Sequence, residues 1–201
     1  IVVLKFGGTS VGSISKIKKV AEIIKGYKKK NYKVIVVSSA MGGVTNELIQ
    51  KSREISNNFS SEEYDVLISS GEQVACSLIA ARLIDTGFKA RSWLAWQIPI
   101  ITSGYHSNSR IIHINKNKIL NYLKEGGIPV ITGFQGINIK ERVTTIGRGG
   151  SDASAILLAK FFKAHRCVIY TDVEGVYATD PNKLDKAKKI KVISYEEMLE
   201  M

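Results

Sequence analysis

Short, almost wholly apolar runs alternate along this chain with longer stretches in which apolar residues return at helical intervals. Ile1 to Phe6 reads as a strand, and Ser15 to Lys29 as a helix with Ile17, Val20, Ala21 and Ile24 on one face and lysines on the other. Lys33 to Ser39 is apolar nearly throughout, as expected of a central strand in a parallel sheet covered on both faces. Further strands are predicted at Ala90 to Ala95, Val130 to Thr132, Val143 to Ile146 and Cys167 to Thr171. Helices are predicted at Thr45 to Ile55, Ser61 to Ile68, Gly71 to Asp85, Lys116 to Glu125 and Ser151 to Lys163. The alternation describes an α/β domain on a mostly parallel sheet, without internal repeats or a linker that would mark a second domain. Ser194 and Glu197 have the spacing of a capping box, which opens a helix, yet the sequence stops four residues later with Met198, Leu199 and Met201 unpacked. The expectation is of a chain truncated at its C-terminus.

Composition narrows the classes. At 201 residues and 44% hydrophobic the chain can bury one substantial core. No run of consecutive apolar residues reaches membrane-spanning length, and the apolar start meets Lys5 and a glycine pair, so a cytoplasmic protein without membrane contact is expected. Cys76 and Cys167 lie far apart in apolar surroundings and read as small buried residues. The formal charge of +11 raises the question of nucleic acid. The lysines concentrate between Lys16 and Lys33 and between Lys183 and Lys191, without interleaved aromatics, which fits solvated helix faces and no nucleic-acid partner.

Three glycine-rich turns stand at the ends of predicted strands: Gly7-Gly8-Thr9-Ser10, Gly42-Gly43-Val44-Thr45, and Gly147-Arg148-Gly149-Gly150-Ser151-Asp152. A tight strand-to-helix turn explains any one of them alone. Together, at the carboxyl ends of strands, they point to a phosphorylated ligand held by backbone N–H groups and helix N-termini. The Walker and dinucleotide-binding glycine patterns are absent. Lys5, two residues before the first glycine pair, either lies on a sheet edge or reaches over the loop to phosphate oxygens. Arg148 is suited to grip a carboxylate through paired hydrogen bonds while Ser151 caps the following helix. The segment Tyr170 to Pro181 brings Asp172, Tyr177 and Asp180 together after another apolar strand and can frame a nucleotide. His106, His113 and His165 form no nucleophile–base or metal-site pattern. An ionised carboxylate substrate needs no general base, which fits that absence.

In order along the chain, K-F-G-G-T-S-V at Lys5 to Val11, V-S-S-A-M-G-G-V-T-N at Val37 to Asn46 and S-G-E-Q-V at Ser70 to Val74 resemble aspartate kinases. So do G-F-Q-G at Gly133 to Gly136, T-T-I-G-R-G-G-S-D at Thr144 to Asp152, and Y-T-D-V-E-G-V-Y-A-T-D-P at Tyr170 to Pro181. The resemblance implies a three-layer α/β/α sandwich of the amino-acid (carbamate) kinase type. It implies transfer of the γ-phosphoryl of ATP to the β-carboxylate of L-aspartate, the first step toward lysine, methionine and threonine. It places Lys5, Gly7, Gly8 and Ser39 at the ATP phosphates, and Thr171, Asp172, Tyr177 and Asp180 around the nucleotide. Thr45, Glu72 and Arg148 would bind aspartate, with Ser151 and Asp152 between the ligands and Lys5 and Asp152 as the catalytic pair. Mg²⁺ would arrive with ATP rather than in a protein metal site. Asn182 departs from the basic residue that commonly follows the D-P pair in this family, with Lys183 next to it. The family also continues into a segment with another ATP-contacting lysine and into ACT domains, which the 201 residues lack; they would form a homo-oligomer or lie in a partner subunit. Two alternatives stand beside this reading: a kinase of acetylglutamate or glutamate, and a non-catalytic nucleotide-binding module.

Overall fold

The computed structural model describes residues 1–147 and 149–172; Arg148 and residues 173–201 lie outside the described residues, and with them Tyr177, Asp180, Asn182 and the S-x-x-E stretch at Ser194. Two wholly buried apolar strands, β1 (Val2–Phe6) and β2 (Val34–Ser38), form the centre of the fold. Between them runs α1 (Ile14–Lys29), started by the Ser13 side chain, which accepts from the Lys16 N–H, and ended on Lys28 and Lys29 where the helix dipole favours cations. Next come α2 (Val44–Ile55), α3 (Ser61–Ile68), α4 (Ser70–Asp85) and β3 (Ala90–Trp93). They are followed by β4 (Ile100–Thr102), β5 (Ile111–Ile114), α5 (Asn117–Lys124), β6 (Ile128–Thr132), β7 (Gln135–Ile137), β8 (Val143–Thr145), α6 (Gly150–Phe161) and β9 (Arg166–Tyr170).

The main sheet has five strands in the order β3-β6-β2-β1-β9, every neighbouring pair parallel. Side-chain alternation divides its core in two. Val2, Leu4, Phe6, Val34, Val36 and Val130 point to one face, where α1 and α4 cover them. Val3, Ile35, Val37 and Ile131 point to the other, against α5 and α6. This is the expected three-layer arrangement.

A second sheet, in the order β5-β4-β7-β8, was not foreseen apart from its β8 strand. Its β4–β5 and β7–β8 pairs are antiparallel and its β4–β7 pair is parallel. Three of its strands are only three residues long, and Gly136 lies within one because a Cβ there would meet the Thr102 methyl at 2.3 Å. The third glycine turn, at Gly147, therefore follows a strand of this small sheet rather than of the main one.

The expected strand at Ala90 to Ala95 ends early, at Trp93, because the Leu94 N–H turns to the Gln97 side chain and the Gln97 N–H to the Leu94 carbonyl. Ser61–Asp85, covering α3 and α4, is by length and composition able to cross a membrane. Here Ala75, Cys76, Ile79 and Leu83 of that segment instead pack into the core beneath the sheet.

Cys76 is fully buried, as expected, whereas Cys167 is only half-buried. Burial, with the charge of Glu72, pushes the Cys76 thiol far up. Burial, with the charge of Asp152, pushes Cys167 up to about 12. At pH 8 both thiols are therefore expected to react with a thiol reagent far more slowly than free cysteine, and to label together once denaturant is added. Prompt stoichiometric labelling of the native protein would contradict this packing.

Candidate functional site

Lys5 shares the face of β1 that carries Val3, the face covered by α6. Lys5 is 6% exposed in an otherwise apolar layer, a placement that requires a compensating anion. Asp152, in the first turn of α6, supplies it: Asp152 Oδ1 stands 2.7 Å from Lys5 Nζ, as an ion pair without hydrogen-bond alignment. The ammonium lies over the first glycine turn, since a Cβ on Gly7 would come within 3.3 Å of Nζ. The Gly7 N–H donates to the Tyr170 carbonyl at 3.0 Å and ties the turn to β9. The Gly8 carbonyl accepts from the Gly42 N–H at 3.0 Å, so the first and second glycine turns are joined. A side chain at Gly8 would stand 3.1 Å from the Ala40 carbonyl oxygen, which explains the glycine there.

Glu72 rises from the first turn of α4 and is 3% exposed. One carboxylate oxygen accepts from the Ala40 N–H at 3.1 Å; the other, Oε2, has no partner among the described residues. Burial pushes this carboxyl up to about 7, with the Ala40 N–H pulling the other way. A buried carboxylate with one open oxygen in a cleft is a receptor for a cation or a hydrogen-bond donor.

Lys5, Gly8, Ser39, Thr45, Glu72, Ser151 and Asp152 line a single cleft of about 640 Å³ at the carboxyl ends of β1 and β2. Thr45 comes from the first turn of α2, which starts after Gly43 at φ 89°. Ser151 does not cap α6, contrary to expectation: the cap is Gly149, at φ 70°, with no side-chain bond, and Ser151 lies inside the first turn. That position lets Gly133 pack directly on Ser151, where a Cβ would meet the serine at 3.0 Å.

Thr171 and Asp172 do not line this cleft. Both are exposed, the Thr171 hydroxyl donating to Asp172 at 3.0 Å, just beyond the β9 residue that holds Gly7. Arg148, Tyr177 and Asp180 lie outside the described residues. The cleft also contains residues that sequence reasoning did not assign: Asn46, Arg53, Tyr64, Ser107 and Thr145. Asn46 and Thr145 fall within the quoted motifs and were legible there; Arg53, Tyr64 and Ser107 fall within none. His106, which sequence left without a partner, has Nδ1 2.9 Å from the buried Asp65.

The raised Glu72 carboxyl fixes a sign for stability. Its folded-state value lies above the unfolded one, so the native state holds the extra proton between about 4.5 and 7, and stability falls as pH rises through that window. Glu72→Gln, which keeps an acceptor for Ala40 but no charge, is expected to stabilise the substrate-free protein at pH 8 relative to pH 5 by up to about 3 kcal/mol. Denaturation midpoints at the two pH values measure it; an equal effect at both would remove the charge from the account.

The sequence pattern described as "Amino acid kinase family" matches residues 1–201. The chain is 51% identical over 204 residues to the aspartokinase of Rickettsia felis, covering all of this chain and 51% of that protein. It thus spans about half the length of the curated relatives it matches. Among solved structures, aspartate kinase from Synechocystis superposes with a TM-score of 0.78 at 39% identity, over 94% of this chain and 31% of that one. E. coli aspartokinase III in complex with aspartate and ADP superposes with a TM-score of 0.80 at 28% identity, over 94% of this chain and 53% of that one. A parallel sheet, a buried lysine above a glycine turn and a family pattern running the whole length converge on one conclusion: the chain belongs to the amino acid kinase family.

Proposed function

We propose that residues 1–201 are the catalytic domain of an aspartate kinase, which transfers the γ-phosphoryl of ATP to the β-carboxylate of L-aspartate and gives 4-phospho-L-aspartate and ADP. The observation that carries this reading is the open oxygen of buried Glu72 in the same cleft as Lys5. A free α-ammonium satisfies that oxygen, and a phosphoryl group satisfies the lysine. Acetylglutamate has no free ammonium to offer, so this observation also weighs against that alternative. The aspartokinase names of the relatives, and the aspartate and ADP of the E. coli structure, support the same choice.

On this reading a β-carboxylate oxygen, ionised at neutral pH, attacks the γ-phosphorus and the bond to the bridging oxygen of ADP breaks, so no residue has to remove a proton. Lys5 neutralises the charge that spreads over the phosphoryl oxygens, and Asp152 holds the ammonium in place from the first turn of α6. Gly8 and Ser39 line the phosphate side, with Gly7 beneath the Lys5 ammonium rather than in the cleft wall. Thr45, Ser151, Glu72 and Arg148 hold aspartate, the guanidinium taking a carboxylate. Thr171, Asp172, Tyr177 and Asp180 frame the nucleotide beyond β9. Among the described residues no three His, Cys, Asp or Glu side chains form a metal cluster. The donor set fits a Mg²⁺ ion held chiefly by ATP phosphates and water, which would add charge neutralisation at the transferred group. We further infer action in the cytoplasm, and ACT-type regulatory domains elsewhere in the protein or its oligomer.

In the complete gene product, ATP-dependent hydroxamate formation is expected with aspartate and not with glutamate or acetylglutamate; activity on either of the latter alone would overturn the assignment. Arg148→Ala is expected to raise the aspartate KM about 100-fold or more with the ATP KM within about threefold. An unchanged aspartate KM removes Arg148 from that role. Because free Glu72 is protonated below about 7, the aspartate KM should rise as pH falls from 8 to 6. That dependence should vanish in Glu72→Gln, and its persistence there would place the titrating group elsewhere.

A further inference from the structure

Asp65, on α3, does not line the cleft, yet among the described residues it holds a dense set of donors around a wholly buried carboxylate. Thr145 donates from Oγ1 at 2.7 Å and from its backbone N–H at 3.1 Å. Ser107 donates from its backbone N–H, at 2.9 Å to Oδ2, and from its hydroxyl at 3.2 Å to Oδ1. His106 Nδ1 lies 2.9 Å from Oδ2. A carboxylate at zero exposure is costly unless every lone pair is matched, and here they are matched by three residues that lie 41 to 80 positions away.

What those donors belong to gives the network its consequence. Ser107 and Thr145 line the cleft, as do Tyr64 and Ile68, which flank Asp65 on α3. Ser107 adopts φ 60°, a left-handed conformation unfavourable for a serine, and the bonds that its N–H and hydroxyl donate to Asp65 offset that cost. The Ser107 carbonyl and the Asn108 side chain in turn pack against Gly147, where a Cβ would meet them at 3.3 and 3.4 Å. Gly147 leads directly into Arg148. One buried anion therefore fixes three pieces of chain: α3, the 103–109 loop and the end of β8.

We propose that Asp65 is a positioning residue for the acceptor half of the cleft, fixing Ser107, Thr145 and the Gly147 turn in the conformation that receives aspartate. This rests on the aspartate kinase reading above. Asp65 touches neither substrate in this scheme; it acts through the residues it holds. Phosphate binding by Lys5 and the first two glycine turns is built on β1 and β2 and does not pass through this network, while α6, which carries Asp152, adjoins it where the Gly150 N–H donates to the Gly147 carbonyl at 3.1 Å.

The test is Asp65→Asn in the complete gene product, an isosteric change that removes the charge and one acceptor. Amide hydrogen exchange over residues 103–109 is expected to rise, with the aspartate KM up about tenfold or more while kcat and the ATP KM stay within about twofold. Asp65→Glu is expected to recover part of the aspartate affinity. Where Asp65→Asn does not fold, His106→Ala, which removes a single donor, is expected to give the same selective pattern at about threefold. Unchanged exchange over 103–109 overturns the proposal, and so does a loss shared equally by both substrates. If the unaltered protein phosphorylates no aspartate, the functional reading falls, while the exchange experiment still decides whether Asp65 fixes the loop.

Discussion

An ammonium group held in the apolar interior of a parallel sheet is the constraint from which the rest of the site follows. Lys5 occupies a β1 position that periodicity directs into the layer between the sheet and α6, where Val3 precedes it against apolar helix residues. A cation there needs an anion close by, and the only way to bring one from α6 is to begin that helix near the end of β1. The Gly149 cap does so, putting Asp152 at 2.7 Å from the ammonium. The same requirement keeps the first glycine turn clear of side chains, because the ammonium lies over Gly7. The cleft is the space left where Lys5 stops being covered.

Glu72 is the complement of that arrangement. The fold buries a second charge, of opposite sign, and leaves one of its oxygens without a partner among the described residues. In isolation this lowers stability above neutral pH, and evolution toward stability alone would replace it. On the proposed reading a bound ammonium supplies the missing partner, so that this energetic defect becomes affinity for a zwitterionic substrate. Lys5 and Glu72 thus divide the cleft between an anion and a cation, which is a recognition pattern suited to an amino acid and a nucleotide together.

Much of this was legible from the chain, and what was not has physical reasons. Val2–Phe6 and Val34–Ser38 are buried on both faces, so apolar runs announce them; the motifs around their ends carried Lys5, Gly8, Ser39, Thr45, Glu72, Ser151 and Asp152 to one place. Of the second sheet only β8 was foreseen; β4, β5 and β7 were missed because they are three or four residues long and lie on an edge of the core, too short for alternation to register. Gly136 stands in the sequence only as the end of the G-F-Q-G motif, and the fold explains it by the Thr102 methyl that a side chain there would meet. Ser151 reads as a cap, but two glycines ahead of it allow the helix to begin earlier. Asp65 sits among Glu62, Glu63 and Tyr64 and looks like part of a solvated helix face; its donors lie at His106, Ser107 and Thr145, and no local pattern reports a partner that distant. Sequence carries chemistry well when it sits at strand ends in glycine turns, and poorly when it depends on long-range pairing of single polar residues.

The most direct test of the account is the kinetics of Lys5→Met in the complete gene product. If the ammonium acts on charge that grows during transfer, kcat should fall about 100-fold or more while the aspartate KM moves by no more than about threefold. An unchanged kcat, with only the ATP KM raised, would make Lys5 a ground-state binding residue and contradict the role given to it here.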